Sequence, residues 1–71
     1  YSEEIESIRA QIESHSTSVQ DLHLWQISEN ERSVILSLNS TADNPPEYYH
    51  NLVKTIGRYE HITVEVNKIT A

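Results

Sequence analysis

The sequence predicts an α+β fold in which two helices lie on one face of a three-stranded sheet. Three observations carry this prediction. Apolar residues recur at helical spacing in two stretches, they alternate with polar ones in three others, and the five stretches follow one another in the order αββαβ. Each helix has one apolar stripe to cover, and one sheet face covers both, which makes a two-layer, ferredoxin-like sandwich. With 71 residues the chain has material for one core, so residues 1–71 are read as a single domain.

The first helix begins near Ser2, a candidate N-cap, with Glu3 and Glu4 at the positive end of the helix dipole. Ile5, Ile8 and Ile12 form its stripe, and His15-Ser16-Thr17-Ser18 ends it, with His15 placed to interact with the last carbonyls. From Val19 to Ile27 the period becomes two: Leu22 and Leu24 face one way, and Asp21, His23, Trp25 and Ile27 the other. A polar turn over 28–32 leads into a second alternating run, Ser33 to Asn39, and the two strands read as a hairpin. Asp43 or Asn44 is placed to cap a second helix that starts on Pro45-Pro46 and runs to about Ile56. Tyr49, Leu52, Val53 and Ile56 form its stripe, and Gly57 suits a left-handed position past its end. The third strand, His61 to Asn67, buries Ile62, Val64 and Val66. A right-handed crossover through the second helix would set it parallel to the second strand.

Composition excludes several functions. Eleven carboxylates against five Lys and Arg give a net charge of −6, which does not suit a nucleic-acid partner. No apolar run reaches the ~18 residues that cross a bilayer, and the absence of Cys rules out disulfides and thiolate sites. A cytoplasmic, soluble setting is expected. The first residues read as a helix start without an initiator Met, which suggests a piece of a longer protein. A phosphate loop, a nucleophile elbow and a catalytic cleft are all missing from the pattern, so no enzymatic activity is expected.

The sheet face away from the helices carries the functional signal. Asp21, His23, Trp25, Ile27, Ile35, Ser37, His61, Thr63, Glu65 and Asn67 share it. Trp25, Ile27 and Ile35 form an apolar patch of the kind that marks an interaction surface, expected to meet a second copy or the rest of its own chain. Asp21-x-His23 and His61-x-Thr63-x-Glu65 set carboxylates and imidazoles on the same side of a strand. Nitrogen and oxygen donors of this kind suit zinc, cobalt, nickel, iron or manganese, although such pairs on strands are more often hydrogen-bonded or solvated. His50, on the second helix, reads as a surface histidine.

The segment Val19-Gln20-Asp21-Leu22-His23-Leu24-Trp25-Gln26-Ile27 resembles the V-x-D-L-H-(V/I)-W-x-(I/L) opening strand of the cytoplasmic C-terminal domain of cation diffusion facilitators, proton-coupled exporters of divalent metals. His61-Ile62-Thr63-Val64-Glu65-Val66 is similar to that domain's closing strand, and the resemblance extends over nearly the whole chain. The two strands are closer to the branch that exports cobalt, nickel or iron. The resemblance implies a metallochaperone-like αββαβ domain, joined to a transmembrane domain of the same chain, that forms a homodimer and binds a divalent metal between protomers to regulate transport. His23, Glu65, His50 and Asp21 are the ligands it suggests. Gln20 and Ser37 stand where many members carry a ligand, and Glu65-x-Asn67 stands where they carry His-x-Asp. The alternative is a purely structural dimerisation domain, held by Trp25, Ile27 and Ile35. A free-standing metal carrier would expose Cys or Met, and the chain has neither.

Overall fold

The computed structural model describes residues 1–14 and 16–70. Its elements are α1 (Ser2–Ile12), β1 (Thr17–Ser28), β2 (Glu31–Ser40), α2 (Pro46–Lys54) and β3 (His61–Lys68), in the expected αββαβ order. The strands form one sheet in the order β1-β2-β3, with β1 antiparallel and β3 parallel to the central β2. The parallel pair follows from the crossover through α2, since only a connection of that length can bring the chain back in the same direction.

The two helical stripes meet one face of the sheet. Ile8 and Ile12 of α1 and Tyr49 and Val53 of α2 pack with Leu24, Val34, Leu36 and Leu38 in a single buried cluster. Ile62, Val64 and Val66 lie at its rim, half-buried, because β3 is an edge strand. At the open end of the hairpin the cluster finishes in three buried hydroxyls. Thr17 Oγ1 and Ser40 Oγ lie 3.0 Å apart, and Tyr49 Oη is 3.3 Å from each. These hydroxyls satisfy one another, so each can be buried without the cost of an unmade hydrogen bond.

The strands are longer than the alternation predicts, and β1 departs from it twice. Its register against β2 shifts between Val19 and Asp21 and again between Gln26 and Ser28. The first shift leaves Gln20 as an extra residue, so Val19 and Leu22 both pack against the core although they are three positions apart. The second lies beside the Glu29-Asn30 turn. No non-glycine residue among those described has a positive φ, so the turn is not of the primed types that match strand twist, and the adjacent bulge supplies the added twist.

The expected helix ends need correction. Ser2 lies inside α1, whose N-cap is Tyr1, and the Ile5 N–H donates to the Tyr1 carbonyl. Neither Asp43 nor Asn44 caps α2: Pro45 does so with its extended backbone, and Pro46 follows at a position that needs no N–H donor. Asp43 instead pairs with Lys68 Nζ at 2.7 Å, and Asn44 Nδ2 reaches Tyr49 Oη at 3.5 Å. The second helix stops at Lys54, before Ile56. The reading of His15 as a helix-end cap lies outside the described residues.

Gly57 is not left-handed. Its role is to leave space: a Cβ there would stand 2.9 Å from Tyr59 Oη, 3.0 Å from Glu4 Oε2 and 3.2 Å from Arg32 Nη2. Those three side chains form a polar cluster that ties the start of α1 to β2 and to the loop before β3. Arg32 Nη1 donates to Glu4 Oε1 at 2.8 Å, the Tyr59 hydroxyl donates to Glu4 Oε2, and the guanidinium lies 4.8 Å from the Tyr59 ring centre. Burial pushes the Glu4 carboxyl up, but the hydrogen bonds from Arg32 and Tyr59 and the guanidinium charge outweigh it and hold it below the usual carboxylate range. Burial, reinforced by the carboxylate, pushes the Tyr59 phenol well above its ordinary value.

Candidate functional site on the open sheet face

Register places the open-face residues in rows across the three strands. Trp25, Ser33 and His61 form one row, His23, Ile35 and Thr63 the next, and Asp21, Ser37 and Glu65 the third. Ser33 is only 5 % exposed although no helix covers this face, because Trp25 and His61 flank it. Trp25 and Ile35 are each 39 % exposed and Ile27 53 %. Trp25 and Ile35 are diagonal neighbours across β1 and β2, and Ile27 follows Trp25 at the bulge, so the face presents aromatic and branched apolar surface to solvent where a covered sheet would bury it.

The polar side chains of this face are paired mostly along or across strands. His23 Nε2 lies 2.9 Å from Asp21 Oδ1, and both side chains are more than half exposed. His61 Nε2 lies 3.0 Å from Glu31 Oε2. Glu65 Oε1 accepts hydrogen bonds from Ser37 Oγ at 3.2 Å and from Asn67 Nδ2 at 3.3 Å. Asp21 and Glu65 stand at opposite ends of their row with Ser37 between them, roughly 10 Å apart at two strand spacings.

Of the four suggested ligands the structure therefore brings together Asp21 and His23 alone. His50 lies in the helix layer, in a groove shared with Glu47, Lys54 and Val64, so the sheet separates it from His23 and Glu65. Among the described residues no group of three or more His, Asp or Glu side chains is placed to hold a metal ion. A zinc site takes three or four protein ligands, and one copy of this chain assembles two, so its residues do not by themselves fit the ion.

The Glu4, Arg32, Tyr59 and Gly57 cluster was not visible in the sequence. Its hydrogen-bonded members are 28 and 55 positions apart, and no local spacing signals the contact. No helix among the described residues is long and apolar enough to cross a membrane. No known family model matches the chain, and no curated protein matches it.

Proposed function

We propose that this chain is the cytoplasmic dimerisation domain of a divalent-metal efflux transporter, joining two copies through the open face of its sheet. The exposure of Trp25 and Ile35 on a face no helix covers, with Ile27 exposed at the bulge that follows, carries the reading. A two-fold contact uses the same patch on both copies, so a single patch is sufficient, and a large aromatic at its centre is the residue type that anchors such contacts. The likeness of the β1 and β3 sequences to exporter domains supplies the transporter context. Sedimentation of the wild-type chain is expected to show self-association, and Trp25→Ser is expected to raise the dissociation constant of the open-face contact at least tenfold, the usual scale for losing an anchoring aromatic. Unchanged association in Trp25→Ser would remove this face from the contact.

The Asp21–His23 pair beside the patch favours a second form of the reading, in which the dimer responds to metal. Each copy would offer this pair, and a divalent ion near the boundary would offset repulsion between two protomers of charge −6. Calorimetric titration of zinc, cobalt and nickel is then expected to give heat with the wild type that His23→Ala loses. Equal heats for both proteins would exclude His23, and a dimer indifferent to chelator would leave the purely structural form.

A further inference from the structure

We infer that the free edge of β3 is a second interface, taking the antiparallel β3 of another copy so that two three-stranded sheets run on as one. The inference does not depend on the transporter reading. It rests on a difference between the two sheet edges.

The β1 edge is blunted in the ways that folded proteins use against edge pairing. It bulges at Gln20 and at Ile27, and the Glu13 carboxylate accepts the Val19 N–H at 3.3 Å. By contrast β3 runs in unbroken register with β2 from His61 to Lys68. Backbone groups along a strand point alternately to either side. The Ile69 N–H donates inward to the Ser40 carbonyl, so the groups of Ile62, Val64 and Val66 point outward. The side-chain hydrogen bonds of this strand come instead from His61, Glu65, Asn67 and Lys68.

The sequence of β3 selects a second copy as the occupant. With Val64 opposite the second copy's Val64, Ile62 faces Val66, Thr63 faces Glu65 and His61 faces Asn67. Every opposed pair is then apolar with apolar or polar with complementary polar, and the outward groups of Ile62, Val64 and Val66 exchange main-chain hydrogen bonds. Shifting the axis to Glu65 sets two carboxylates face to face, and shifting it to Thr63 shortens the overlap from seven residues to five. The helix layer agrees with the central register. The groove beside Val64 is lined by Glu47, His50, Asn51 and Lys54 of α2, so a two-fold through Val64 carries α2 antiparallel past its counterpart and brings Glu47 toward Lys54.

The test uses the full 71-residue chain carrying Trp25→Ser, which removes the open-face contact, with Thr63 as the probe because it is exposed and outside the core. Thr63→Glu opposes a carboxylate to Glu65 twice across the axis and is expected to weaken self-association roughly tenfold, while Thr63→Lys strengthens it by a similar factor. Loss of fold would move both variants the same way. In the same Trp25→Ser background, amide exchange at Ile62, Val64 and Val66 is expected to slow as protein concentration rises. Equal association of the two Thr63 variants, or exchange at these amides independent of concentration, overturns the proposal. Because the background lacks Trp25, failure here and failure of the open-face dimer are read separately.

Discussion

Leu36→Ala is expected to lower the free energy of unfolding by about 2–5 kcal/mol, the range for truncating a leucine that cannot be replaced by local collapse. Leu36 is fully buried at the centre of β2, with Leu22 opposite it on β1 and Val64 opposite it on β3. Both neighbours are fixed by the ladders on either side, and both helices press on the same cluster, so little can move into the space left. A domain of this size has only a few kcal/mol to spare, and the loss is a large share of the total. Urea unfolding checks it: the midpoint should fall with the slope unchanged. A loss below about 1 kcal/mol would mean that the site collapses and that the core is not organised around β2.

Arg32→Ala is expected to cost about 1–2 kcal/mol, in the lower part of the range for leaving a hydrogen-bonded charge without its partner. The side chains of Arg32 and Glu4 keep 26 % and 24 % of their surface in water, and that exposure screens the loss. The variant should also change the acid limb of stability. Glu4 has its pKa lowered in the fold, so its contribution is complete above the ordinary glutamate value of 4.5 and disappears as pH falls through the lower folded value. Without the guanidinium that loss should shrink. Glu60, held low first by the Arg32 backbone N–H, and Asp43, held low by Lys68, should still contribute because neither depends on the Arg32 side chain. Urea midpoints for both proteins from neutral pH to below 4.5 test this, and parallel curves would rule out Glu4 as the group that Arg32 holds.

Period two was enough to assign faces: it placed Leu22, Leu24, Val34, Leu36 and Leu38 under the helices and Trp25 and Ile35 on the open side, as found. It could not show the bulges at Gln20 and Ile27, because a bulge adds one residue without requiring a particular type, and neither site holds glycine. The place of Gly57 just past a helix suggests freedom at positive φ, whereas what the fold uses is its missing Cβ, a property that depends on residues far away in sequence. The same limit applied to the ligand set. Asp21 and His23 meet because two positions along a strand fix their separation, but whether Glu65 or His50 joins them depends on rows and layers. Those are set by strand order and by which side of the sheet α2 covers.

The three hydroxyls of Thr17, Ser40 and Tyr49 also act as a gauge of alignment. Aliphatic side chains along β1 and β2 tolerate exchange with one another, so a hairpin slipped by two residues, which keeps each side chain on its own face, could still bury much of its apolar surface. A slip would carry Thr17 away from Ser40 and leave polar atoms stranded in the interior beside Tyr49, which is 1 % exposed. The apolar middle of the core supplies the cohesion, and this polar end selects one pairing among those that cohesion alone would allow.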